Sequence, residues 1–427
     1  DGHRRDRHPG PRGDQPVRAA RHRGRTPGVR ATAARWPARR AGLDRRESGA
    51  GLLQEATRSG RQHDPHLGPG DHGLPAAAYT RSEFFELESN LLFTASWSFV
   101  GFAHQLAKVG DVQPLTVAGK PVFLVRSESD KIRAFHNVCR HRNLKLIDRA
   151  GHCDVLITCP YHRWSYDFSG KLRLAPYFGG EKTGLPDGFD LADHGLYEIR
   201  CHTFHDWVFI NLDGQAEYFD VFIEPLKRQL IGFEPEKFEP VATLDFGEVP
   251  ANWKLLMENF IEPYHVQYVH KTTTSQPLED HYVVADEHCL GSAIELTAEQ
   301  QADAAAGTLG VSSRYLTLFP NFVLGLYYPD QIGVHLNRPV SADTTQQSRV
   351  IYLHRDSDHS QAAVEHARQL WDSVHREDHH MCERLQAGRH SSVAEGGGVL
   401  SPHWEVSVRR FQELVADAVR PGLEGGI

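Results

Sequence analysis

The chain has 427 residues, of which 40% are hydrophobic and 10% aromatic, and a formal net charge of −8. That length allows two domains with separate cores, and no apolar run nears the ~18 residues of a membrane span, so no membrane partner is expected. Six cysteines are too few to staple a fold of this size; a reducing, cytoplasmic setting is expected, in which clustered Cys and His point to metal.

Residues 1–75 differ in kind from the rest. They hold 16 Arg and no Lys, Phe, Tyr or Ile, and their balance of +8 leaves −16 on residues 76–427. Such a stretch cannot bury a core, and a disordered or non-native arm is expected. A nucleic-acid arm would show interleaved aromatics or a helical period; only Trp36 is aromatic, so no nucleic-acid partner is expected.

From residue 76 the pattern becomes that of folded protein. Phe84, Phe85, Leu87, Leu91 and Leu92 recur at helical spacing, predicting a docking helix over 76–94. Short β-type runs follow (QPLTV, PVFLVRS, KIRAFHNV) and continue to HDWVFINLDG, giving an all-β domain over 95–214. Residues 215–427 read as helix around NWKLLMENFIEPYH, then strands RYLTLF, NFVLGLYY, QIGVHLNR and RVIYLH. A last long helix is expected from about Gln361 to Gln386, stopped by Gly388. The fold class predicted is α+β.

Two constellations carry chemistry. In CRHRNLKLIDRAGHCDVLITCPYHRW, residues 139–164, Cys139 and His141 form a C-x-H pair and Cys159 and His162 a C-x2-H pair, with DVLIT read as the strand between the loops. Structural zinc uses Cys and His too, but its knuckles favour C-x2-C pairs. Cys153 falls outside the pattern and is read as structural.

The second constellation is NWKLLMENFIEPYHVQYVH, with Asn259, Glu262, His265 and His270 spaced N-x2-E-x2-H-x4-H. On one regular helix the two imidazoles would point about 140° apart. Pro263 disfavours helical geometry at Glu262 and removes a backbone donor, so a break there lets them converge. Two His and a carboxylate on one face of an iron make the facial triad of non-haem oxygenases. Asp378 is the expected carboxylate. It falls on the helical stripe of Trp371, Val374, Met381 and Leu385, and a buried acid needs a partner. The competing readings are Glu377 as ligand and a salt bridge without metal.

The first motif resembles the Rieske [2Fe–2S] pattern, two Cys on one iron and two His on the other, with Pro160, Tyr161, Trp164 and Tyr166 as matching flanks. Asn143 and Arg163 stand where that pattern commonly has a small residue. In REDHHMCERLQAG, Asp378 occupies the ligand position of the family's third motif. The two constellations in this order resemble the α subunits of Rieske non-haem iron oxygenases, the aromatic-ring-hydroxylating dioxygenase family, over roughly residues 78–420. That resemblance implies an all-β Rieske domain and a helix-grip antiparallel-sheet catalytic domain, assembled as a homotrimer. It implies a [2Fe–2S] cluster on Cys139, His141, Cys159 and His162, and mononuclear Fe(II) on His265, His270 and Asp378. Electrons come from NAD(P)H through a reductase or ferredoxin, and O2 reacts with a small-molecule substrate.

By resemblance Glu262 bridges His265 to a neighbour's Rieske histidine, His162, while Asn259 lies near the iron without ligating. Glutamate rather than aspartate at the bridge is similar to the carnitine, choline and betaine oxygenases. The reaction implied is hydroxylation, dihydroxylation or oxidative demethylation of a small aromatic or quaternary-amine substrate. Tyr315, Phe319 and Tyr327 are candidate pocket residues that could equally be core. Two rival classes are an electron-transfer protein with an iron-free ligand-binding domain and a zinc-stabilised binding module.

Overall fold

The computed structural model describes residues 72–274, 276–305 and 312–424; the arginine-rich arm up to residue 71 lies outside the described residues. Gly73 N–H donates to Gly398 O at 2.7 Å, and Leu74 N–H to Gln412 Oε1 at 2.9 Å. The docking segment is Ala77–Thr80, then Ser82–Leu87 continuing as a π-turn through Leu92. It buries Phe84, Leu87 and Leu92 in one cluster with Val415, Val419 and Leu423 of the C-terminal helix Val406–Glu424.

Strands β1 (Ser98–Phe102), β2 (Asp111–Val117), β3 (Lys120–Glu128), β4 (Lys131–His136) and β5 (Gly151–His152) come first along the chain. A small sheet follows, of β6 (Ile157–Thr158), β7 (Ser165–Tyr166) and β8 (Leu172–Leu174); β9 (Glu198–Phe204) and β10 (Trp207–Asn211) then return to the first. The first sheet has the order β1-β10-β9-β4-β3-β2-β5 and the small one β6-β7-β8. Only Ile157 and Thr158 of DVLIT are strand, because Asp154 and Val155 are solvent-exposed and have no ladder to join.

The second large sheet uses β11 (Phe238–Val249), β12 (Tyr282–Asp286), β13 (Cys289–Ile294), β14 (Ser313–Leu318), β15 (Phe322–Tyr327), β16 (Gln331–Ser341) and β17 (Thr344–His354). Its order is β11-β17-β16-β15-β14-β13-β12, antiparallel throughout. β15 is buried along its whole length, the mark of a strand covered on both faces. The helix Trp253–Ile261 and the long helix Gln361–Arg389 pack against this layer, completing the α+β architecture.

Phe99 and Phe209 of the first sheet meet Phe322 of the second at 5.0 and 5.3 Å between centroids. Asn321 closes the seam, accepting from Phe99 N–H and donating to Phe99 O, both at 2.9 Å. Asp206 does the same with charge: one oxygen takes the His104 ring N–H and the Tyr352 hydroxyl, each at 2.6 Å. No helix among the described residues is long and apolar enough to cross a membrane.

The long helix corrects two expectations. It runs through Gly388 to Arg389, with His390 as C-cap in helical geometry, so Gly388 is its last turn and not its stop. Its buried face is Ala367, His375, Cys382 and Gln386, whereas Leu385 is 47% exposed. The apolar stripe read from hydropathy is therefore rotated from the true one. Polar residues replace aliphatic ones on the core side because they have partners there: Gln386 accepts from Asn252 N–H and donates to Tyr79 O. Asp378 lies on the true face, between His375 and Cys382 at 3-4 spacing.

Candidate metal centres

The loops that follow β4 and β6 are built alike. Cys139 N–H donates to Leu144 O at 2.8 Å and Asn143 N–H to Cys139 O at 3.0 Å. In the second loop Cys159 N–H donates to Trp164 O at 2.8 Å and Arg163 N–H to Cys159 O at 3.1 Å. Each loop thus turns back four residues after its cysteine, which requires positive φ there. Asn143 has φ 59° and Arg163 φ 60°, so the two departures from the family pattern are the two left-handed corners.

These turns bring four soft donors together. Cys139 and Cys159 are buried and free of disulfide, and the His141 and His162 rings are 4.5 Å apart. Trp164 stacks on His141 at 5.0 Å. The Tyr166 hydroxyl lies 3.3 Å from Cys139 Sγ and accepts from Arg140 N–H at 3.0 Å. Burial pushes the Cys139 thiol up, so its thiolate needs a cation beside it. Among the described residues the buried His162 Nδ1 has no hydrogen-bond partner. Two thiols, two imidazoles and an orphaned ring nitrogen fit a mixed sulfur/nitrogen iron cluster.

The second site is set by the break the sequence predicts. The helix Trp253–Ile261 ends with Glu262 in extended geometry (φ −107°, ψ 136°) before Pro263, and a short turn Val266–Val269 follows. His265 and His270 therefore flank that turn and converge on Asp378, one ligand atom from each lying within 4.8 Å of the others. Asp378 Oδ1 is 3.1 Å from His270 Nε2 and 3.6 Å from His265 Nε2. Asn259 donates to the same oxygen at 3.0 Å, fixing the carboxylate from behind.

Both imidazoles are held at their far nitrogens. His265 Nδ1 lies 2.7 Å from Glu262 Oε1, and Glu262 Oε2 accepts from the His265 backbone N–H at 3.1 Å. His270 Nδ1 lies 2.8 Å from Glu377 Oε2, which also accepts from the Thr273 hydroxyl at 2.7 Å. Such carboxylates fix the tautomer that turns the Nε2 lone pair to a metal. Burial would lower the His265 pKa, but Glu262 and Asp378 outweigh it and raise it to about 10. Burial would raise Asp378, yet the two imidazoles hold it far below the usual carboxylate range. A divalent cation competes with protons for these same lone pairs, and two His with one carboxylate suit ferrous iron.

A cavity of about 230 Å³ opens beside this trio, walled by Phe260, Tyr315, Tyr327, Trp371, His281 and Arg349 among others. Of the candidate pocket residues, Tyr315 and Tyr327 line it, whereas Phe319 packs on Phe411 in the core. Sequence reasoning missed Glu377 as the holder of His270, and missed His281 and Arg349 altogether. His270 offered a signal for the first, because a ligating imidazole needs an acceptor at its other nitrogen.

Two family patterns match the chain: the Rieske [2Fe-2S] domain over residues 96–183, and the ring hydroxylating alpha subunit (catalytic domain) over residues 234–420. The chain is 27% identical over 401 residues to the glycine betaine monooxygenase oxygenase subunit of Chromohalobacter salexigens, covering 83% of this chain and 87% of that one. It is 28% identical over 331 residues to the carnitine monooxygenase oxygenase subunit of Escherichia coli K12, covering 76% and 86%. The crystal structure of the apo form of a quaternary ammonium Rieske monooxygenase superposes with a TM-score of 0.67 at 25% identity, over 81% of this chain and 94% of that one. Both sets of metal-type donors and both matched patterns agree: the chain belongs to the Rieske non-haem iron oxygenase α subunits and is an oxygenase subunit served by a separate electron donor.

Proposed function

We propose that this subunit oxygenates a small quaternary ammonium compound, using O2 and electrons passed from NAD(P)H by a reductase or ferredoxin. For a monooxygenation, one C–H bond, O2, two electrons and two protons give C–OH and water. On an N-methyl group that product loses formaldehyde, leaving the demethylated amine. When bound, the cluster supplies single electrons and ferrous iron activates O2. Cys139 and Cys159 would hold one cluster iron, His141 and His162 the other, and His265, His270 and Asp378 the mononuclear iron.

The observation that carries this reading is the convergence of those last three residues, within 4.8 Å, on the wall of a cavity. The chain's own work is positional. Asn259 orients Asp378, Glu262 and Glu377 orient the two imidazoles, and the aromatic walls exclude water. The cavity of about 230 Å³ is about half as large again as the roughly 150 Å³ that admits benzene, which suits a small amine or a single ring. Glu262 would also reach His162 of a neighbouring subunit in a head-to-tail trimer. Exposed tyrosines flank both ends of that contact, Tyr161 and Tyr177 by the cluster and Tyr264 and Tyr268 by Glu262, and assembly would cover them.

Anaerobically purified protein is expected to hold iron and acid-labile sulfide in a ratio of about 3:2. His265→Ala and Asp378→Ala should lose only the mononuclear iron, and Glu262→Gln should keep both centres and lose turnover. Reductant-driven O2 uptake is compared for glycine betaine, carnitine and aromatic acids, with formaldehyde release marking demethylation. Protein holding only zinc sinks the reading, and a brown protein that consumes no O2 with any substrate makes it an electron carrier.

A further inference from the structure

Arg349 on β17 faces His335 on β16 and lines the cavity beside the histidine–aspartate trio. It is 1% exposed. Among the described residues its Nε and Nη2 make no hydrogen bond of normal geometry, Nη1 reaches the Nε2 atoms of His335 and His375, both at 3.4 Å, and the Tyr327 hydroxyl lies alongside as a neutral polar neighbour. Those contacts are at the long edge of hydrogen bonding. The acid whose charge reaches it, Asp378, is already committed to His265 and His270.

The guanidinium is nonetheless seated in a built slot. Trp371 covers one face at 3.6 Å and Tyr327 lies at 5.1 Å. Below it is Gly333, where an added Cβ would fall 2.2 Å from Nη2 and push the guanidinium from its place against Trp371. Burying a cation without a counter-anion is costly, and filling this volume alone would need only an aliphatic side chain.

A second wall residue is in the same condition. His281 is 6% exposed, and among the described residues neither ring nitrogen has a hydrogen-bond partner. Burial lowers its pKa to about 4, so it is neutral and offers one donor and one acceptor.

We propose that Arg349 is the anion-binding residue of this pocket and that the substrate carries a carboxylate, which docks on its guanidinium while His281 hydrogen-bonds elsewhere on the same molecule. The proposal rests on the cavity being the substrate site of the oxygenase. It also narrows that reading. The inner faces of Trp371 and Tyr327 are taken by a fixed cation, so a substrate ammonium group must lie toward Phe260 and Tyr315. A cation without a carboxylate meets uncompensated repulsion from Arg349.

The test is anaerobic calorimetry on the holoenzyme without reductant, using glycine betaine, carnitine and salicylate against the carboxylate-free choline and phenol. At least one carboxylate should bind at least tenfold tighter than its counterpart. Arg349→Met should erase that preference and Arg349→Lys retain part of it, with iron content unchanged in both. Ligand-free Arg349→Met should unfold at a temperature no lower than wild type, which a purely structural arginine would not allow. Choline binding as tightly as the carboxylates, no carboxylate bound, the preference surviving in Arg349→Met, or a lower ligand-free melting temperature overturns the proposal. Loss of the oxygenase reading shows separately, as missing mononuclear iron or absent O2 uptake in the wild type.

Discussion

Replacing Glu377 by alanine isolates the positioning of a ligand from its identity. The carboxylate touches no ligand atom of Asp378 or His265; it holds His270 Nδ1 at 2.8 Å and the Thr273 hydroxyl at 2.7 Å. Removing such a partner costs about 10–100-fold in metal affinity, or ~1.4–2.8 kcal/mol. The Glu377 side chain is 28% exposed, so water can replace part of what it supplies. The loss should then fall in the lower half of that range, roughly 10–30-fold. Glu377→Gln keeps one acceptor oxygen and should lose about half as much on the free-energy scale. Competition with a chromogenic ferrous chelator under anaerobic conditions measures the affinity, with the visible absorbance of the cluster as internal reference. Affinity in Glu377→Ala within twofold of wild type, beside complete loss in Asp378→Ala, would refute the reasoning.

Three more perturbations probe the scaffold. Arg163→Gly relieves a left-handed corner that costs ~1–2 kcal/mol for an ordinary residue, less ~0.5–1 kcal/mol of glycine entropy. The cluster-loaded protein should gain between about 0 and 1.5 kcal/mol by thermal unfolding, and a clear loss would contradict the strain. Lys254 and Glu88 form a fully buried ion pair at 2.5 Å, with Trp253 Nε1 donating to the other Glu88 oxygen at 3.0 Å. Glu88→Gln leaves that ammonium unpaired and should cost about 3–5 kcal/mol, whereas replacing both by Met should cost far less. Asp167 accepts from Ser169, Lys171 and Arg173; burial would raise its pKa, but these bonds hold it below the usual carboxylate range. Its stabilising effect is present above the unfolded value of about 3.9 and is lost as pH falls through the lower folded one. The acid limb of stability below pH ~4 should therefore be shallower in Asp167→Asn, and identical limbs would exclude Asp167 as a contributor.

Much of the candidate site was legible because its chemistry fixes local spacing. Two cysteines on tight loops must each be followed closely by a histidine, and the backbone must turn sharply after them, so the pattern survives even with Asn143 and Arg163 at the corners. Pro263 gave away the helix break in the same manner, since a proline dictates the conformation of the residue before it. Asp378, the candidate third ligand, was readable only because an acid on a helix that must pack demands explanation. Arg349 was not readable. It begins RVIYLH, and in a strand buried from Arg349 to His354 alternation cannot tell a cavity-facing residue from a core one. His281 lacked a signal altogether, because its neighbours in sequence are not its neighbours in the cavity.

The misread stripe on the long helix shows why hydropathy fails where function begins. Its core face runs Ala367, His375, Asp378, Cys382 and Gln386, a face no apolar period would select. Each polar member is matched by a partner from a different element: His375 by Arg349 of β17, Asp378 by both histidines and Asn259, Gln386 by Asn252 and Tyr79. Three carboxylates, those of Glu262, Glu377 and Asp378, surround two imidazoles there. With both imidazoles neutral, that set carries three negative charges in a largely buried space, which protons or a cation would offset. A divalent ion bound there would offset most of that charge, and the cost of the pattern in ordinary packing terms marks where the chain gives up core stability for a candidate metal site.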